Sequence, residues 1–238
     1  MFQDISVLIP YKPDDGPRDR AFRYIRRFYD KMMPGTQLCV GEVEEDPFSR
    51  SLAINRAAEK ARGRVFIIAD NDIIYDPELI VESLKRLNDD CWVIPFSQIN
   101  RLSQTYSERL VTGEEHPWPL QTAPETKPAN ASYFVGGMNV LLRESFEKVG
   151  GYDERFSGWG GEDEAFAYAL DTLVGKHVRL DGELIHFWHP FVGPSGNPHY
   201  DDNYLLYQRY KAALGNITEM SRLIQEKKRL INPEEGQI

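Results

Sequence analysis

Four short apolar runs rich in β-branched residues, three of them followed by a segment with helical spacing, constrain this chain more than any other feature. Ile5 to Ile9 stops at Pro10 and reads as a buried strand. Gln37 to Val40, Val65 to Ala69 and Cys91 to Ile94 are similar runs. Between them, Arg20 to Met33 carries mixed aromatic and basic faces. Leu52, Ile54, Ala57, Ala58 and Ala61 recur near helical spacing, with Gly63 just past the end. Asp76-Pro77 offers a cap and a first-turn proline to a helix whose inner face is Leu79, Ile80, Ser83, Leu84 and Leu87. Strand and helix in alternation predict an α/β domain with a mostly parallel central sheet and helices on both faces. In such sheets ligands bind beyond the carboxyl ends of the strands. Pro10-Tyr11, Glu42 and Asp70 to Asp72 all lie there.

The third run ends abruptly in Asp70-Asn71-Asp72. An acid-x-acid triplet can be a turn. Placed after five apolar residues and before Ile73-Ile74, it can also hold a divalent cation or a ribose at the sheet's rim. A second acidic group, Glu162-Asp163-Glu164, opens a helix after Gly158-Trp159-Gly160-Gly161. The helix dipole accounts for one or two acids at such a start and is expected to lower the Asp163 pKa. The glycines and tryptophan point further, to a sugar stacked on an indole with carboxylates at its hydroxyls, one of them taking a proton. His186 and His189 flank Phe187-Trp188. Both can reach one ion only if the strand ends or bends between them, which Pro190 and Gly193 allow. Imidazole beside carboxylate suits Mn²⁺ better than Mg²⁺.

The remaining chain is less informative. Asn100 to Ser132 has four prolines and little periodicity, predicting a flexible loop. The expected organisation is one domain over 1–199, with a half at 1–99 that carries the acid-x-acid turn, a flexible loop at 100–132 and a half at 133–199 that carries the second acidic group and the histidines. A helical tail follows at 200–238. A net charge of -9 disfavours extensive nucleic-acid binding. Two cysteines, Cys39 and Cys91, read as buried free thiols. The first residues lack the features of a signal peptide, and no apolar run approaches the roughly 20 residues of a membrane span, so a cytoplasmic location is expected.

Taken in order, these motifs resemble the GT-A glycosyltransferases, especially inverting family 2 enzymes with a galactosyltransferase-like C-terminal half. Phe48-Ser49-Arg50 with Asn55, then Asp70-Asn71-Asp72, is similar to the Phe-Asn-Arg and Asp-x-Asp segments of β-1,4-galactosyltransferases. Phe134 to Gly137, Gly150-Gly151-Tyr152 and Gly158 to Asp163 follow in that family's order. The resemblance covers roughly Ile5 to Pro190 and implies a catalytic domain over 1–199 whose nucleotide-sugar half is 1–99 and whose acceptor and metal half is 133–199. It implies metal-dependent, inverting transfer from a UDP-sugar to an acceptor hydroxyl on a glycan, lipid-linked glycan, protein or modified nucleobase. By the same resemblance Asp72, His189 and His186 would bind Mn²⁺ (or Mg²⁺), with Asp70 near the ribose or metal and Asn71 between the acids. Phe48 and Arg50 would touch the nucleotide, Pro10 and Tyr11 would line the uracil pocket, and Gly137 would sit against the sugars. Asp163 would be the base, Glu162 would hold acceptor hydroxyls, and Trp159 would pack between donor phosphate and acceptor. The family's Pro-Phe-Arg segment reads Pro10-Tyr11-Lys12 here. Alternatives are a retaining transferase of the same fold, a sugar-phosphate nucleotidyltransferase and a non-catalytic sugar-binding module. Tyr11 to Gly16 is a poor phosphate loop, and Asp163 stands where the retaining peptide O-glycosyltransferases usually carry Asn.

Overall fold

A computed structural model describes residues 2–113, 127–191, 193 and 196–231. The chain alternates as the apolar runs require. β1 (Ile5–Tyr11) leads to α1 (Pro17–Met32), β2 (Gln37–Glu42) to α2 (Arg50–Lys60), and β3 (Val65–Ala69) to β4 (Ile73–Tyr75) and α3 (Glu78–Arg86). Then come β5 (Val93–Ile94), β6 (Gln98–Arg101), α4 (Gln104–Thr112), β7 (Lys127–Asn130), β8 (Met138–Leu142) and α5 (Arg143–Lys148). The last elements are α6 (Glu162–Leu173), β9 (Val178–Arg179), β10 (Glu183–His186), α7 (Tyr200–Ala213) and α8 (Ile217–Ile231).

Local chemistry sets these boundaries. Ser49 caps α2 by accepting from the Leu52 N–H at 3.2 Å. Ser51, Ala53, Ile54 and Ala57 form the buried side of α2, and three of these four are small. α1 starts on Pro17, where the missing N–H is harmless, and buries Phe22, Ile25, Phe28 and Tyr29. Each such side chain contributes roughly 1.5–3 kcal/mol on full burial. Gly63 does not cap α2, whose end is the extended Ala61. A side chain at Gly63 would meet the Ser6 nitrogen at 2.6 Å, so its place is a close crossing beside β1. Cys39 and Cys91 are buried free thiols.

The main sheet has the order β2-β1-β3-β8-β5-β9 and is mixed. β8 runs antiparallel to both β3 and β5. That reversal has a functional consequence. The start of β8 lies beside the end of β3, so Gly136 and Gly137 arrive at the acid-x-acid turn, where Asp70 N–H donates to the Gly137 carbonyl at 3.0 Å. A second sheet, β4-β10-β6-β7, stands at the same end of the molecule. β10 pairs antiparallel with β4, with His186 opposite Ile73.

The segment expected as a loop from Asn100 to Ser132 is mostly regular structure where it is described. It contains the end of β6, α4 and β7, while 114–126 lie outside the described residues. α4 buries only Ser107 and Leu110, too sparse a pattern to show in the sequence. Pro128 falls on the sheet's edge strand, where a missing N–H is tolerated. Among the described residues no helix is long and apolar enough to cross a membrane.

Candidate functional site

The turn after β3 is held at both ends. Besides the Asp70 bond to Gly137, the Asp72 carbonyl accepts from the Phe187 N–H at 2.8 Å. Asp72 is therefore not a loose rim residue, as its place at a strand's end suggested, but 6% exposed. Its Oδ1 is buried without a hydrogen-bond partner. β10 ends at His186, and the chain bends so that the His186 and His189 rings lie 5.1 Å apart. The Nε2 atoms sit 3.3 Å (His189) and 3.7 Å (His186) from the two Asp72 oxygens. One ligand atom from each of the three residues falls within 4.8 Å of the others.

His189 Nδ1 is 2.8 Å from the Pro190 carbonyl; a hydrogen on Nδ1 donated there would leave Nε2 its lone pair for a cation beside Asp72. Arg18 Nη2 lies 3.3 Å from that same Nδ1. Burial pushes the His189 imidazole below its usual pKa, keeping it neutral. A buried carboxylate oxygen without a donor is costly, and one oxygen with two imidazole nitrogens suits Mn²⁺ better than Mg²⁺. The residues fit a divalent cation.

A second corner is built around Arg50, on the first turn of α2. Its Nη2 and Nε donate to Asp70 Oδ1 at 2.8 and 3.0 Å, and its Nη1 to Asp163 Oδ1 at 2.5 Å. Tyr152, fully buried, donates its hydroxyl to the same Asp163 oxygen at 3.1 Å. Burial holds the Tyr152 phenol far above its usual pKa, so it stays a donor. Gly136 closes the other side: a Cβ there would stand 2.0 Å from Asp163 Oδ2. Any side chain at 136 would displace the carboxylate.

Asp163 does not have the lowered pKa expected at a helix start. Burial pushes it up to about 6, against the pull of Arg50, with Asp70 and Glu164 adding to the rise. Glu162 is pushed up to about 8 by burial and then by the charge on Asp163. The dipole of α6 is outweighed because the acids leave water together. Near neutral pH the pair divides, with Asp163 ionised and Glu162 protonated.

The glycine turn before α6 is tied on three sides. Gly158 N–H donates to the Phe48 carbonyl at 3.1 Å, and Asn197 donates to the Ser157 and Trp159 carbonyls, both at 2.9 Å. Asn203 adds a bond to Ser157 at 3.0 Å. Gly161, at the N-cap of α6, has φ +93°, which a residue with a Cβ rarely adopts. Trp159 is 43% exposed and stacks on Tyr200 at 6.3 Å and 18°.

Residues from each of these parts line one cleft of about 470 Å³. Its wall brings together Asp70, Gly137, Trp159, Glu162, Asp163 and His186. Pro10, Tyr11, Phe48 and Asn71 are not on that wall, and of the three metal donors only His186 is, with Asp72 and His189 behind it. Pro10 and Asn71 are buried, and the Tyr11 hydroxyl is occupied by Asp19 at 2.8 Å. Phe48 serves the glycine turn through its carbonyl. Arg50 lies behind the wall as the link between acids rather than as an open cation. The sequence reading passed over Tyr152's hydroxyl, Gly136, and the Tyr200, Tyr204 and Tyr207 side of the cleft supplied by α7. The tyrosines' spacing of four and three residues on one helix was the available signal.

Comparison with known proteins agrees with this architecture. The family model described as "Glycosyl transferase family 2" matches residues 14–150, more than half of the chain. A second, described as "N-terminal domain of galactosyltransferase", matches residues 122–190. Beta-1,4-galactosyltransferase 4 of Homo sapiens is 34% identical over 101 residues, covering 42% of this chain and 28% of that protein. Its Mus musculus counterpart is 33% identical over 101 residues, with the same coverage of 42% and 28%. The chain thus spans well under half the length of these relatives. Among solved structures, GalNAc-T7 with UDP, GalNAc and Mn²⁺ aligns at a TM-score of 0.51 and 12% identity, over 95% of this chain and 55% of that one. A mannosyltransferase from Pyrobaculum calidifontis, in complex with GDP-Man and Mn²⁺, aligns at 0.50 and 14%, over 97% and 70%. At these identities the likeness shows the fold, an α/β GT-A-like arrangement.

Proposed function

The chain belongs to glycosyl transferase family 2, and from that premise we propose that it transfers a sugar from a UDP-sugar to an acceptor hydroxyl with inversion at the anomeric carbon. The observation that carries this reading is one cleft lined both by His186, a member of a three-donor metal corner, and by Asp163, a carboxylate poised to ionise near neutral pH. Asp72, His186 and His189 would hold the cation. When bound, Mn²⁺ supplies positive charge to offset the charge growing on a diphosphate leaving group. The fold relatives that carry a nucleotide or nucleotide sugar together with Mn²⁺ support this assignment. One of them carries UDP and the other GDP-Man, so the donor's base rests on the galactosyltransferase likeness.

The chain's own residues do the rest. Arg50 holds Asp70 and Asp163 in register, and Asp163 accepts the acceptor hydroxyl's proton as its oxygen attacks. Protonated Glu162 can donate a hydrogen bond to an acceptor oxygen while accepting from the Gly160 N–H at 3.2 Å. Trp159 and the α7 tyrosines offer flat apolar surface to a pyranose. A panel of UDP- and GDP-sugars, scored by thermal shift with and without Mn²⁺, should select a UDP-sugar. NMR of the product should then show the opposite anomeric configuration to the donor. A retained configuration overturns the inverting mechanism, and selection of a GDP-sugar overturns the donor.

A further inference from the structure

Asp163 Oδ1 is crowded while Oδ2 is not. Oδ1 receives Arg50 Nη1 at 2.5 Å and the Tyr152 hydroxyl at 3.1 Å. Among the described residues no hydrogen bond to Oδ2 is recorded, and it lies against Gly136, which has no side chain to block it. Tyr152 itself has no freedom. Its N–H donates to Asn55 Oδ1 at 2.9 Å, and Asn55 Nδ2 donates back to its carbonyl at 3.0 Å. Its ring stacks on Phe166 at 4.1 Å and 19°. Lys227 of α8 donates to the neighbouring Gly151 carbonyl at 2.6 Å. A hydroxyl fixed from α2, α6 and α8 at once is held far more firmly than packing an aromatic ring requires.

We propose that Tyr152 is a positioning residue for Asp163: by donating to Oδ1, its hydroxyl turns Oδ2 toward the cleft as the oxygen that receives the acceptor's proton. This rests on the reading of Asp163 as the base. In the step, the acceptor O–H proton passes to Oδ2 as the acceptor oxygen bonds to the anomeric carbon. The bond from that carbon to the diphosphate oxygen breaks, and its electron pair leaves with the diphosphate. A hydrogen bond to the ionised form also stabilises it, so the hydroxyl holds the Asp163 pKa down against burial. The other groups acting on Asp163 are Arg50 from α2, Asp70 from the end of β3 and Glu164 from its own helix, and Glu162 on that helix interacts with it by charge. Only Arg50 pulls the same way as Tyr152.

The test is Tyr152→Phe, which keeps the ring and deletes the hydroxyl, with Tyr75→Phe as a control. Tyr75 is another buried tyrosine, and its hydroxyl bonds Tyr29 instead. Carboxyl ¹³C NMR titration of Asp163 needs no knowledge of the substrates. Tyr152→Phe should raise the Asp163 pKa by about one unit, while Tyr75→Phe leaves it in place. In turnover, the acidic limb of the kcat/KM profile should move up by the same amount with the donor KM unchanged. An unmoved Asp163 titration in folded Tyr152→Phe overturns the proposal. So does a loss of activity equal at all pH values, since that is what a purely structural tyrosine would give. If Asp163→Asn keeps near-normal turnover, the base reading fails first, and the two failures are thereby told apart.

Discussion

The two corners of the cleft handle buried charge in opposite ways. At Asp72 a buried carboxylate oxygen has no hydrogen-bond partner and two imidazole nitrogens point at the same carboxylate. That corner is complete only with a cation. At Asp163 the protein supplies its own cation, Arg50, and adds a tyrosine hydroxyl. That corner is finished in the protein alone. The difference teaches where each half of the chemistry resides: charge on the leaving group is met by something the chain binds, and the proton is taken by something the chain has already set. A substitution in the metal corner should therefore change what binds, whereas one in the acid corner should change what turns over.

The sharpest break is expected from Asp163→Asn. The amide is nearly isosteric, so UDP-sugar affinity should hold while kcat falls by roughly 10²–10⁴-fold. Steady-state kinetics with donor titration checks both. Near-normal turnover would move the base to Glu162.

The next effect is a pH limb. Asp163 must be ionised to accept a proton, and burial places it at about 6. Activity should fall by about tenfold per pH unit below that value, and a profile flat down to pH ~4 would mean the base is not this buried carboxyl.

Arg50→Met sharpens the comparison at the level of stability. It strips the cation from two acids at once and should lower the unfolding free energy in urea by about 2 kcal/mol, less than the roughly 3–5 kcal/mol of a fully buried pair. The discount reflects Asp70, whose side chain is 30% exposed. Asp72→Ala in the absence of metal should instead be close to neutral or stabilising, because it removes an unsatisfied group.

The last effect concerns Glu162. Its pKa rises from 4.5 to about 8 on folding, so its stabilising contribution is fully present below about 4.5 and lost as pH rises through about 8. Glu162→Gln does not ionise. Its melting point should gain on the wild type as pH rises from ~5 to ~9, and a constant difference would contradict the raised pKa.

Much of this was legible in the sequence. The apolar runs ending at Pro10 and Ala69 could only be buried strands, and the fold places the acid-x-acid turn at a strand's carboxyl end. His186 and His189 could be paired because Pro190 promised a bend. The rest depended on partners distant in sequence. Nothing local to Arg50 says that it spans from residue 70 to residue 163. A helix start is visible in sequence and predicts a lowered Asp163 pKa, whereas the burial that outweighs it comes from partners distant in the chain, such as Arg50 and Gly136. The second sheet does not show in the sequence because β4 is only three residues long, β6 is polar at both ends and β7 holds a proline.

The contrast between the corners is tested most directly by calorimetry of UDP binding, with Mn²⁺ and with EDTA, to the wild type, Asp72→Ala and Asp163→Asn. The account predicts that wild type and Asp163→Asn bind UDP alike in Mn²⁺ and lose that binding in EDTA. Asp72→Ala should bind poorly in both. Equal UDP affinity for the wild type with and without Mn²⁺, or equal losses in the two variants, would contradict it.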